Sequence, residues 1–344
     1  MYSEADLDGA VAAGIVPADT ARRFRAYMAA QKASPSADEE YVRFLTGFND
    51  IFVSIAIALV VVATSFLAGD TGLGGLAVAV ISWALAEYFT ARRRMALPSI
   101  LLLLTFISGM GFFGLLLLKD MLGMNSKLFS ANSDPATIIG LAVLCAIIGA
   151  SAYAHWRRFH VPITIAAGTG CVVLLANSLI MALIPALRPY WAPLLALSGL
   201  LVFALAVRWD MTDLSRTTRR SDVAFWLHLL AAPLIVHPLF FSLGLLGHGQ
   251  AALSSALAAI FIYLLFGIVA LLIDRRALLV SALGYVIYAL ASVLKHSGFI
   301  GQELALTALI AGAGLLTLSV FWHTARATLL RLAPSPIRHY VPAA

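Results

Sequence analysis

Two histidines and two prolines share one apolar stretch, Phe225-Trp-Leu-His-Leu-Leu-Ala-Ala-Pro-Leu-Ile-Val-His-Pro238. Imidazole can bind a metal, shuttle a proton or hydrogen-bond a neighbour. His228 and His237 are nine residues apart, which places them about 180° apart on a helix and about 13 Å along its axis. A metal on one helix needs ligands at i, i+4, so the spacing predicts no metal site. Pro233 and Pro238 each remove a backbone hydrogen bond and kink a helix. The stretch is therefore expected to be kinked or locally unwound between Leu229 and Pro238. The freed carbonyls would have to face protein or water, and His237 is expected to line a polar cavity.

Other polar residues stand out only by contrast with their surroundings. Glu87 lies one turn before Arg92-Arg93-Arg94, with Trp83 on the same face. Its expected partner is Arg92, Arg93 or Arg43. Asn177 sits in an apolar run and is expected to hydrogen-bond a neighbouring helix. His228, Pro233, His237, Pro238, Glu87 and Asn177 are thus the candidate ligand-facing residues. Asp50 reads as a cap or ion pair at the start of a span, and Lys295 and Glu303 flank a turn. Cys145 and Cys171 read as small packing residues, too few for a zinc site or a disulfide framework. Gly72-Leu-Gly-Gly75 reads as a turn, with no strand before it to make a phosphate loop. The chain has no Walker loop, dinucleotide fingerprint, nucleophile elbow or H-E-x-x-H, so no cofactor is predicted.

The elements that position these residues follow from composition. Hydrophobic residues make up 61% of the 344-residue chain and charged residues 12%. A soluble domain has roughly 25% charged residues. Ten continuous apolar stretches fall at 51–69, 73–91, 98–118, 136–156, 161–183, 191–208, 223–246, 252–273, 277–295 and 301–321. Each approaches the ~20 residues that cross a bilayer, and none alternates as barrel strands do. The fold class is all-α: a polytopic transmembrane bundle of about ten spans behind a short N-terminal helical hairpin. Residues 1–35 form that hairpin, 36–48 an interfacial linker, 49–322 the membrane domain and 323–344 a tail.

Charge sets the expected orientation. Nineteen of the 23 basic residues fall on one side, in Arg92-Arg93-Arg94, Arg157-Arg158, Arg219-Arg220, Arg275-Arg276 and their neighbours. Only Lys119, Lys127, Arg188 and Lys295 fall on the other. Such an excess marks the cytoplasmic side, so both termini are expected there, in an inner (plasma) membrane. The net charge of +6 is accounted for by these short loops, and no long basic stripe points to nucleic acid. The arginine turns also recur along the chain, as tandem helical hairpins would.

In the first 35 residues, Gly14 should end one helix and Pro17 begin a second. Leu7, Val11, Phe24 and Met28 should pack between them. The segment Leu7-Asp-Gly-Ala-Val-Ala-Ala-Gly-Ile-Val-Pro-Ala-Asp-Thr-Ala21 resembles the opening of bacterial predicted inner-membrane proteins of the domain-of-unknown-function 2157 type. In that type a short helical hairpin precedes an array of membrane hairpins. The resemblance implies a bacterial inner-membrane protein without an assigned reaction. From the proline-broken seventh span, function is expected to be transport or the binding of a small molecule or lipid, since unwound membrane helices border substrate sites. The alternative is a structural or assembly subunit that docks a protein partner through residues 1–35. An intramembrane lipid-modifying enzyme is a third reading, and it would need a carboxylate beside His228 or His237, which the seventh span does not supply.

Overall fold

A computed structural model describes residues 4–33, 48–69, 71–122, 135–214, 216, 218–245, 252–298, 301–334 and 341. The chain divides into two compact units, one ending at Tyr41 and one beginning at Val42. The first holds α1 (Glu4–Ala12) and α2 (Ala18–Ala33). Gly14 ends α1 at φ +71°, a left-handed conformation that costs glycine little. Ala21 is the buried contact of this pair. Leu7, Val11 and Phe24 are half-buried, while the Met28 side chain lies outside the described residues. So do Arg43 and the whole of 34–47, with the expected interfacial segment.

The second unit is all-helical among the described residues. Its helices are α3 (Phe48–Ala68), α4 (Gly72–Ala86), α5 (Ala96–Leu122), α6 (Pro135–Phe159), α7 (Ile163–Leu183), α8 (Trp191–Met211), α9 (Arg219–Ser242), α10 (Leu253–Ile273), α11 (Ala277–His296) and α12 (Glu303–Leu332). A π-helical turn, Glu87–Arg92, extends α4, and a 3-10 turn, Pro185–Tyr190, precedes α8. Ten helices are long and apolar enough to cross a membrane. Three boundaries differ from expectation. Gly72-Leu-Gly-Gly75 is not a turn but the start of α4, capped by Thr71, whose hydroxyl accepts from Gly74 N at 3.2 Å. The α8–α9 connection spans 212–218 rather than 209–222, because α8 runs on to Met211 and α9 starts at Arg219. Helix α12 continues to Leu332, well into the expected tail.

Sequence neighbours pack as hairpins: α4 with α5, α6 with α7, α8 with α9, α10 with α11. Further contacts of α5 with α6, α7 with α9 and α9 with α11 join them, and α3 and α12 flank the row. Helix α9 is the centre: 56% of its apolar 18-residue window is buried, against 11% for α3 and 6% for α12. The outer helices show Phe52, Phe66, Leu67, Leu304, Leu309 and Val320 on their surfaces. Such apolar surface of spanning length belongs in lipid.

All four turns at the arginine-rich end carry one non-glycine residue at positive φ: Arg94, His160, Arg216 and Asp274, each between 53° and 57°. Non-glycine residues rarely adopt this conformation. At the opposite end the positive-φ residues among the described ones are glycines: Gly69, Gly244, Gly298 and Gly301. The recurrence of one backbone device in four successive turns supports the reading of tandem hairpins.

Candidate functional site

Helix α9 starts at Thr218, whose hydroxyl accepts from Arg220 N at 3.2 Å. Thr218 is itself held by Asp213, whose Oδ2 accepts from its amide at 2.9 Å and its hydroxyl at 2.6 Å. Two and a half turns in, His228 is fully buried, with its ring 5.4 Å from that of Phe203 on α8. His228 Nε2 lies 2.8 Å from Asp210 Oδ2 at the end of α8. The carboxylate that the apolar stretch of α9 lacks beside His228 therefore comes from the neighbouring helix.

Asp210 also receives Arg275 from the α10–α11 turn. Nε donates to Oδ2 at 3.0 Å, and a second guanidinium nitrogen bonds Oδ1. That nitrogen also reaches Ser221 Oγ at 3.0 Å and the Ser221 carbonyl at 3.3 Å. A carboxylate engaged this way offers only acceptors, so the proton of the His228 contact belongs to Nε2 and the lone pair to Nδ1. Nδ1 is buried and has no hydrogen-bond partner among the described residues.

The preceding residue, Asp274, builds a second cluster. Its carboxylate accepts from Arg216 at 3.0 Å and from Trp322 Nε1 at 2.8 Å, and Arg326 lies 3.7 Å away. Arg216 adds bonds to the carbonyls of Ile273 and Asp274. Arg276 lies over the Trp322 ring at 4.9 Å. One turn of chain, 274–276, thereby ties together the ends of α8 and α9 and the C-terminal half of α12.

The six residues singled out from sequence do not converge. His237 is exposed on the side of the bundle, with Nδ1 3.1 Å from the Tyr285 hydroxyl. Among the described residues no enclosed polar strip surrounds it, in contrast to the expected polar cavity. Pro233 is half-buried and Pro238 buried, yet α9 is helical without a break through both, so the expected unwinding does not occur. The reason is close packing from α8. A Cβ at Gly199 would stand 2.7 Å from Ile235 Cγ1 and 2.9 Å from both Ile235 N and the Leu234 carbonyl carbon. Bare backbone thus lies against α9 between the two prolines. Beside it, Asn177 donates to Ser198 Oγ at 2.9 Å and to the Val173 carbonyl at 2.8 Å, the interhelical bond expected. Glu87 pairs with Arg158, two hairpin turns meeting through bonds of 2.9 and 2.6 Å, rather than with Arg92 or Arg93.

Asp210, Ser221, Asp274, Arg275 and Arg326 escaped the sequence reading. So did His155, fully buried among Trp83, Phe106 and Phe159. The lone carboxylate in the last turn of α8 was the available signal. Cys145 and Cys171 are free thiols. Among the described residues no group of three His, Cys, Asp or Glu side chains is placed to hold a metal. No protein-family model, curated protein or solved structure matches this chain. The fold and the cluster define a multi-pass helical membrane protein with a buried Asp–His–Arg centre.

Proposed function

We propose that this protein binds and moves a small polar solute across a bacterial inner membrane, with both termini cytoplasmic, and that Asp210, His228 and Arg275 are its working centre. The observation that carries this reading is the burial of three ionisable side chains against the most enclosed helix: His228 within α9, Asp210 in the last turn of α8 and Arg275 in the α10–α11 turn. Ionisable groups within spans are costly and cluster at pathways for ions and substrates. A buried pair is also poor value as a stabiliser, since desolvation offsets the attraction. The 19-to-4 distribution of basic residues supports the orientation. The resemblance of residues 7–21 to the domain-of-unknown-function 2157 type supports the bacterial setting.

A second reading, a structural or assembly subunit, draws support from the unbroken α9 and from the almost wholly exposed α3 and α12. Residues 1–35 would then dock the partner. The test is a solute screen at one pH on the purified full chain in lipid nanodiscs, read by the thermal unfolding midpoint. The transport reading expects a polar solute that raises the midpoint of the wild type and not of a folded His228→Gln variant. Stabilisation by no solute, together with co-purification of a stoichiometric protein partner, overturns it.

A further inference from the structure

We infer that His228 is a proton-binding site whose occupancy releases the Arg275 clasp on Asp210. The charged and titratable groups around it come from few elements. Helix α8 gives Asp210, at 2.8 Å. The α10–α11 turn gives Arg275, on the same carboxylate, and Asp274, which holds Arg216 of the α8–α9 turn. Asp213 of that turn is engaged by Thr218. Helix α7 carries no charged residue, only Cys171, and on α11 Tyr285 faces His237 while Lys295 and His296 lie at the far end. On α9 itself Asp222 lies in the first turn, Arg326 of α12 is buried beside Asp274 at 3.7 Å, and the half-buried Tyr263 of α10 packs near Ala232.

In the neutral state the balance is complete. Asp210 carries one negative charge, Arg275 one positive, and His228 donates through Nε2. A proton can bind only at Nδ1, where the lone pair has no partner among the described residues. The imidazolium then shares one carboxylate with a guanidinium, and two cations face a single anion in a low-dielectric site. Arg275 already touches a second set of acceptors, Ser221 Oγ and the Ser221 carbonyl on α9. It can therefore leave Asp210 without losing every hydrogen bond, while the imidazolium keeps Asp210. The clasp joining the α10–α11 turn to α8 opens, and the turn stays on α9. The only bond that forms is Nδ1–H, its proton given up by a hydronium ion that leaves as water, and one ion pair exchanges partners.

The experiment uses the full chain in nanodiscs with Cys145→Ser and Cys171→Ala. Spin labels go on Met211→Cys and Val280→Cys, both exposed at the arginine-rich end. Pulsed electron resonance reads their separation between about pH 8 and about pH 5, the range in which histidine changes charge. The expected result is a longer distance at low pH in the His228 protein and a constant distance in His228→Gln. Selective 15N-histidine spectra should show the His228 signal, identified by its loss in the variant, pass from one protonated nitrogen to two. An unchanged distance with His228 present overturns the inference, as does an identical change in the variant. His228→Asn replaces a Gln variant that does not fold, and the wild-type distance decides if neither folds. The inference rests on the transport reading for its purpose only, because the solute screen at fixed pH and this distance can fail independently.

Discussion

Arg275 reaches Asp210 across 65 residues of sequence and engages both carboxylate oxygens, with Nε at 3.0 Å from Oδ2. Both side chains are buried. Removing one member of a buried pair strands the other and costs ~3–5 kcal/mol. Asp210→Asn and Arg275→Met should each lower the unfolding midpoint sharply. The double variant should fall short of their sum by about 1–3 kcal/mol, the coupling expected of groups in one network. Additive effects in that cycle would show that the two do not act as a pair.

The corresponding clasp two hairpins earlier, Glu87 with Arg158, is solvent-exposed. Exposed pairs are screened and contribute little. Glu87→Gln should therefore leave the midpoint close to wild type under conditions where Asp210→Asn does not. A loss as large as that of Asp210→Asn would contradict the difference in burial.

How much of this was legible in the sequence follows from what each residue does alone. The ten helices are legible because apolar length is a local property, and Asn177 because an amide in an apolar span needs a partner. His228 stands out as an ionisable group within a span, but its partners do not. Asp210 looks like a span-end carboxylate. Arg275 looks like one of the many arginines that the bilayer rule explains, and only tertiary packing turns it inward while Arg276 stacks on Trp322. The prolines misled in the opposite sense. They predict a broken helix in isolation, whereas Gly199 brings the α8 backbone against Leu234 and Ile235. A residue with no side chain carries no signal of that contact.

Gly199→Ala tests this packing. The added Cβ would lie within 3 Å of α9 backbone, and overpacking of this kind costs ~1–3 kcal/mol. Gly312→Ala on α12, where a Cβ meets nothing within 4 Å, should be neutral or stabilising by up to ~1 kcal/mol from helix propensity. Unfolding midpoints of the two variants, measured side by side, check the contrast, and an unaffected Gly199→Ala would remove the explanation for the unbroken α9.

His237, exposed and bonded to Tyr285, should tolerate replacement. His237→Leu is expected to fold, to keep a midpoint near wild type and to retain any solute response. Loss of that response with folding intact would move the working centre from His228 toward His237.

Orientation is checked by reporter fusions after Ala344. Under the proposed orientation, with the arginine-rich end in the cytoplasm, alkaline phosphatase there should be inactive and a fluorescent protein bright. An active phosphatase would invert the topology and place the Asp210 cluster at the outer side.

The most direct measurement is uptake into proteoliposomes of the solute that most stabilises the wild type, with equal amounts of folded protein in each sample. The account predicts uptake above protein-free vesicles by the wild type, and its loss in folded Asp210→Asn and His228→Gln. Wild-type vesicles that accumulate no more solute than empty ones, or variants that transport as well as the wild type, would contradict it.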